Sequence, residues 1–209
     1  MRNLKIPNGY MVTIEGIDAA GKNTQSRLLA AWLTNNGLKT FSMSFPDYET
    51  PIGREIRAFL SGTRSYPIQL QHILFAANRW ERLEEIQSHL RRGDMMIVNR
   101  YTESNLAYGR ANGLPVGWLD NLEKGMPKPD LVLVLDASPQ SLHSRRPVTR
   151  KDAYEKSSTL QSRAQNAYRE LARARGWKIL DANRSVQDLH AAVLETVKLA
   201  LGKDRGISI

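Results

Sequence analysis

The chain has 209 residues, 41% of them hydrophobic and 24% charged, the proportions of one ordinary globular domain. It has no cysteine, which excludes disulfides and thiolate metal sites, and its four histidines (His72, His89, His143, His190) show no ligand spacing. The formal charge of +9 comes from Lys and Arg spread along the chain, with one local cluster at Arg145, Arg146, Arg150 and Lys151, a pattern that favours phosphate ligands over a nucleic-acid stripe.

The first element is Tyr10-Met-Val-Thr-Ile-Glu15, an apolar run read as a buried strand. Thr24 to Asn35 follows with helical spacing through Leu28, Leu29, Trp32 and Leu33, and Asn36-Gly37 supplies the stop. Thr40 to Phe45 reads as a strand ended by Pro46, and Pro51 to Leu60 as a helix with Pro in its first turn. One long helical pattern runs from Pro67 to Arg92 and stops at Gly93; Met95 to Val98 is the next strand. Leu131 to Leu135 is uniformly apolar, as a parallel strand covered on both faces should be. Arg163 to Ala174 is a helix ended by Gly176, Trp177 to Leu180 a last strand, and Ser185 to Leu201 a last helix, with Gly202 to Gly206 as a frayed tail. Strands alternating with helices predict an α/β fold. The expected architecture is a five-stranded parallel sheet with right-handed crossovers and helices on both faces, in a single domain over 1–209. No apolar run approaches bilayer-spanning length and the first residues lack a secretory core, so the expected compartment is the cytoplasm.

Gly16-x-x-x-x-Gly21-Lys22 lies between the first strand and the first helix, the context a phosphate-binding loop requires. Small residues let successive backbone N–H groups turn inward on a phosphate chain, and the helix behind them points its positive end the same way. Lys22 adds a cation that can follow the outer phosphates. The expected ATP site is therefore Gly16, Ala19, Ala20, Gly21, Lys22, Asn23 and Thr24. The residue after the lysine is usually Ser or Thr, whose hydroxyl ligates Mg²⁺. Here it is Asn23, whose amide carbonyl is a neutral oxygen donor for the metal or one of its waters.

Glu15-Gly-Ile-Asp-Ala-Ala-Gly-Lys-Asn-Thr-Gln25, Phe45-Pro46, Leu74-Phe75-Ala-Ala-Asn-Arg79, Asn99-Arg100-Tyr101, Ser104-Asn105-x-Ala107-Tyr108 and Asp152-Ala-Tyr154-Glu155 follow one another in this order. In that order and spacing, from Met11 to about Val197, the chain resembles the thymidylate kinase family of P-loop nucleoside monophosphate kinases. The resemblance implies transfer of the ATP γ-phosphoryl group to dTMP with Mg²⁺ as cofactor, a mobile lid at about 145–155, and a homodimer.

The resemblance also implies roles for single residues, several of which make chemical sense alone. Phe75 and Arg79 stand at i and i+4, so one helix face carries a ring to stack on a base and a guanidinium to bond its carbonyl. Arg100 directly follows an apolar strand, at the carboxyl edge where ligands of parallel sheets collect, and is the expected bidentate clamp on the monophosphate. Phe45, Pro46, Ser104, Asn105 and Tyr108 complete the implied dTMP pocket. Asp18 is placed near the acceptor sugar and the metal. Ala19 stands where some relatives carry an arginine, which moves the catalytic arginine role to Arg146 or Arg150 in the lid, while Arg145 and Asn183 line the adenine side. The implied metal set is Asn23, Asp18, Asn99 and Glu155, with Asn99 replacing the family's usual Asp. Two other readings stay open: a kinase for another pyrimidine monophosphate, and a nucleotide-binding homologue with weak catalysis because of Asn23 and Asn99.

Overall fold

A computed structural model of the chain describes residues 8–138, 141–142, 154 and 157–206. Within them five strands form one parallel sheet: β1 Tyr10–Glu15, β2 Thr40–Ser44, β3 Met95–Asn99, β4 Leu131–Asp136 and β5 Lys178–Asp181, in the spatial order β2-β3-β1-β4-β5. Strand β1 is central, pairing Ile14 with Asn99 on one side and with Leu133 on the other. The helices are α1 Lys22–Asn35, α2 Pro51–Leu60, α3 Ile68–Trp80, α4 Leu83–Arg91, α5 Thr102–Ala111, α6 Val116–Leu122, α7 Ser158–Arg175 and α8 Val186–Arg205.

Alternation along β1 explains the layers, because successive strand side chains point to opposite faces. Tyr10, Val12 and Ile14 join a core with Leu29 and Leu33 of α1 and Val193 and Val197 of α8. Met11 instead packs with Ile86 of α4, Met96 and Val98. Glu15, on that same second face, reaches Ser104 of α5 and Tyr168 of α7. The expected five-stranded sheet with helices on both faces is what the chain forms.

Three expectations about elements need correction. The pattern from Pro67 to Arg92 is two helices, not one. At the break, Arg82 leaves helical geometry and its Nε donates to Asp47 Oδ2 at 2.7 Å. One turn earlier Asn78 Nδ2 donates to Thr50 Oγ1 at 2.7 Å, so the junction is tied to the loop after β2. The segment from Gly202 to Gly206 is not a frayed tail. Helix α8 runs to Arg205 and is capped by Gly206 at φ 64°, and Tyr10 donates its hydroxyl to Asp204 at 2.8 Å. Helix α7 starts at Ser158, capped by the Ser157 side chain, rather than at Arg163.

Candidate functional site

The strands deliver their carboxyl ends to one edge, and the loops there build the site. After β1 the chain must turn at once into α1. Gly16 takes φ 132°, and a Cβ on it would lie 2.5 Å from the carbonyl oxygen of Leu135, so only glycine fits there. Ala19 at φ 65° and Gly21 at φ 97° complete the turn. Lys22 is nearly buried, and its Nζ donates to the carbonyl of Ile17 at 2.9 Å, which folds the side chain back over the loop.

Asp18 and Arg100 meet at the centre. Arg100 directly follows β3 with φ 63°, and its Nη2 bonds Asp18 Oδ1 while Nη1 donates to Ser104 Oγ at 3.2 Å. Its guanidinium lies 5.3 Å from the centre of the Tyr108 ring. Asp18 also accepts from Gln161 Nε2 at 2.9 Å and from the Tyr108 hydroxyl at 3.3 Å, and stands 4.0 Å from Lys22 Nζ. Burial pushes its carboxyl up, but the charges of Arg100 and Lys22 and the Gln161 bond outweigh that and hold it well below the usual carboxylate range. Behind this pair Glu15 is fully buried and accepts from Tyr101 N at 2.6 Å, Ser104 Oγ at 2.6 Å and Tyr168 Oη at 2.8 Å, so it fixes the loop that carries Arg100.

Asn23 and Asn99 are neighbours: Asn99 Nδ2 donates to Asn23 Oδ1 and, at 3.2 Å, to Ser44 Oγ. This commits the Asn23 oxygen to another side chain. Asn99 Oδ1, by contrast, is buried with no hydrogen-bond partner among the described residues. It is a neutral oxygen left with capacity for a donor such as a bound water.

The loop and the α3 face open onto one cavity of about 650 Å³. Its lining includes Asp18 to Gln25 on one side and Phe45, Pro46, Phe75, Arg79, Arg100, Ser104, Asn105 and Tyr108 on the other. Phe45 is buried and joined to Pro46 by a cis peptide bond. Phe75 meets the rings of Phe59, His72 and Tyr154 edge-on at 5.5, 5.9 and 5.9 Å. Arg79 is not a surface charge; it is 3% exposed and forms a two-pronged ion pair with Glu123. Asn105 lies beside it, with Nδ2 donating to Glu123 Oε1 at 2.9 Å.

Asn183 does not line this cavity: its Oδ1 accepts from Ser138 N at 2.8 Å and its Nδ2 donates to Asp181 at 2.6 Å, so it ties the loops after β4 and β5 together. Its neighbour Arg184 is on the wall instead. Among the described residues no three His, Cys, Asp or Glu side chains converge, and the expected metal set, with its neutral Asn23 and Asn99, is not of that kind. Asp18 faces Arg100, and Asn23 faces Asn99. Arg145, Arg146, Arg150 and Glu155 lie outside the described residues.

The structure adds residues that the sequence reading did not single out for the site. Glu15, His72, Glu123, Gln161 and Tyr168 all hold the expected residues in place. His72 had a legible signal, being three residues before Phe75 and seven before Arg79 on one helix face. Glu123 and Gln161 had none.

Comparison with known proteins gives one answer. The thymidylate kinase family model matches residues 14–193. A thymidylate kinase of Plasmodium falciparum is 35% identical over 190 residues, covering 90% of each chain. The human thymidylate kinase is 32% identical over 185 residues, with 87% of this chain and 86% of that protein covered. Among solved structures, the thymidylate kinase of Candida albicans, described as broad in substrate specificity, superposes with a TM-score of 0.82 at 29% identity, covering 91% of this chain and 92% of that one. A phosphate loop, an arginine at the end of β3 and an aromatic–arginine helix face around one cavity thus carry the family's sequence as well as its shape, and the chain belongs to the thymidylate kinase family.

Proposed function

We propose that this chain transfers the γ-phosphoryl group of ATP to dTMP, giving ADP and dTDP. The observation that carries this reading is the single cavity running from the Asp18–Gln25 loop to the Phe75–Arg79 face, with Arg100 between them. Two nucleotides held end to end in it place a monophosphate oxygen beside the outer phosphate of ATP. That oxygen bonds the γ-phosphorus as the bond to the β–γ bridging oxygen breaks, and ADP leaves.

Each residue then has a task. Backbone N–H groups of Ala19 to Thr24 cradle the ATP phosphates, and Lys22 swings from the Ile17 carbonyl to the outer ones. Arg100 clamps the dTMP phosphate and brings it into line. Asp18 neutralises Arg100 until that phosphate arrives, then faces the acceptor sugar. Phe75 stacks on thymine, Arg79 bonds its carbonyl, and Phe45, Pro46, Ser104, Asn105 and Tyr108 close the pocket around base and sugar. Arg146 and Arg150 of the lid close over the transferring group and Arg145 covers adenine. Transfer through a loose transition state depends on such positioning and charge neutralisation.

Mg²⁺ fits this donor set as an ion brought by the nucleotide, since it keeps several waters and is held largely by phosphates. The orphaned Asn99 Oδ1 would hold one such water, with Asn23 beside it, Asp18 and Glu155 would supply the acids that the family resemblance assigns, and the ion would spread the charge of the β- and γ-phosphates. The enzyme acts as one domain over 1–209, in the cytoplasm and as a homodimer. Supporting the dimer, α3 leaves Leu70, Ile73 and Trp80 exposed on the side away from Phe75 and Arg79. Among the described residues, no helix is long and apolar enough to cross a membrane.

A coupled assay with ATP, Mg²⁺ and a panel of dTMP, dUMP, dCMP and UMP tests the reading. The highest kcat/KM should belong to dTMP. Preference for UMP or dCMP would reject this substrate, and tight binding of ATP and dTMP without product would point to a binding homologue.

A further inference from the structure

The base side of the cavity is set by a relay that begins off its wall. Glu123 follows α6 and is buried behind Arg79 and Asn105. Its two oxygens take Arg79 Nε at 3.1 Å and Arg79 Nη2, and one also takes Asn105 Nδ2 at 2.9 Å. A carboxylate paired with arginine can only accept, so the Asn105 group facing it must be the amide nitrogen. That turns Asn105 Oδ1 to His72 Nδ1, 2.7 Å away, and obliges Nδ1 to carry the proton. His72 Nε2 is then an acceptor, and Asn112 Nδ2 stands 3.1 Å from it to donate. Asn112 in turn reaches the hydroxyl of Tyr154 at 3.4 Å. Every donor and acceptor in the chain from Tyr154 to Arg79 is therefore consistent with one arrangement. Burial pushes His72 down to about 4, so its ring stays neutral and the arrangement holds through the neutral range.

The relay also decides what remains for a ligand. Asn105 Nδ2 spends its hydrogens on Glu123 and on the His72 carbonyl at 3.2 Å. Arg79 spends Nε and one hydrogen of Nη2 on Glu123, and Nη1 has no partner among the described residues. The cavity thus meets a fixed guanidinium edge that donates and never accepts. A pyrimidine with a carbonyl at position 4 can take that hydrogen bond. One with an amino group there presents donor to donor.

We propose that Glu123 is a positioning residue that sets the preference for a 4-carbonyl over a 4-amino pyrimidine monophosphate, by holding Arg79 and Asn105 in this donor-only arrangement. The proposal rests on the reading of Phe75 and Arg79 as the base-binding face. A site built to hydrogen-bond one group rejects an analogue that cannot, and loosening its fixed partner relaxes that rejection.

The test compares wild type, Glu123→Gln and Glu123→Asp for turnover of dTMP and dCMP, with melting curves confirming folded protein. Glu123→Gln should raise KM for dTMP about tenfold or more, leave KM for ATP within about twofold, and lower the dTMP-to-dCMP ratio of kcat/KM about tenfold or more. Glu123→Asp, which keeps the charge but reaches less far, should fall between the two. A merely structural role would lower all rates together and leave the ratio alone. A folded Gln variant with an unchanged ratio overturns the proposal. If the Gln variant does not fold, an unchanged ratio in the Asp variant overturns it instead. Wild type that phosphorylates no pyrimidine monophosphate would overturn the parent reading and this proposal with it, an outcome visible before any variant is made.

Discussion

Replacing Asp18 with Asn removes one charge at nearly constant size. The carboxylate is bonded to Arg100, accepts from Gln161 at 2.9 Å, and lies 4.0 Å from Lys22. Asn leaves two largely buried cations facing a neutral amide, and turns one of its own donors toward a neighbouring donor. Breaking a fully buried ion pair costs about 3–5 kcal/mol. Asp18 retains 24% of its side-chain exposure and Arg100 15%, so solvent screening reduces the expected loss to about 2 kcal/mol. For a domain of this size that is a fall in Tm of roughly 4–8 °C, measured by scanning calorimetry at pH 7. The pH dependence has a definite sign. The folded carboxyl is held below its ordinary value of 3.8, so the unfolded chain takes up the proton first on acidification. The stabilisation is complete above that value and drains away as pH falls through it toward the lower folded value. The gap between wild type and variant should therefore be full at pH 7 and narrower at pH 3. Equal stability at pH 7, or a gap that does not shrink with acid, would refute the reasoning.

Glu103 gives the opposite slope. It is buried, its Oε2 has no partner among the described residues, and burial together with the charge of Glu15 raises its carboxyl well above its ordinary 4.5. The unfolded chain then loses the proton first as pH rises, so Glu103→Gln should stabilise the protein by about 1–3 kcal/mol at pH 8 and by much less at pH 5, a difference read from urea melts at the two values. Asn99→Asp adds a carboxylate where the orphaned oxygen now lies, and should sharpen the Mg²⁺ requirement. Titrated by fluorescence with and without EDTA, its ATP affinity should depend on Mg²⁺ several-fold more than that of wild type. Equal dependence in both proteins would show that Asn99 does not face the ion.

How much the sequence disclosed depended on how local each requirement was. The phosphate loop was legible because Gly16 and Gly21 answer a backbone demand made within a few residues. The strands were legible because a doubly covered parallel sheet writes unbroken apolar runs such as Leu131 to Leu135. Helix α5 carries no clear apolar period because most of it is buried, polar residues and Gly109 included, whose missing Cβ lets Leu119 of α6 approach. The break at Arg82 was hidden because its cause, Asp47, lies 35 residues away. Arg79 was legible as part of a helix face turned to a ligand cavity, which it lines, but its partner Glu123, 44 residues on, carried no local signal. Long-range polar pairs of this kind follow from the fold and not from any window of sequence.

The central claim is that one cavity holds both nucleotides and passes the phosphoryl group directly between them. Mixing γ-³²P-labelled ATP with dTMP and Mg²⁺ and resolving the products tests it most directly. The account predicts label in the β-phosphate of dTDP, with initial rates of a sequential mechanism and little ATP hydrolysis when dTMP is absent. Label released chiefly as inorganic phosphate, or ping-pong kinetics through a phosphorylated protein, would contradict it.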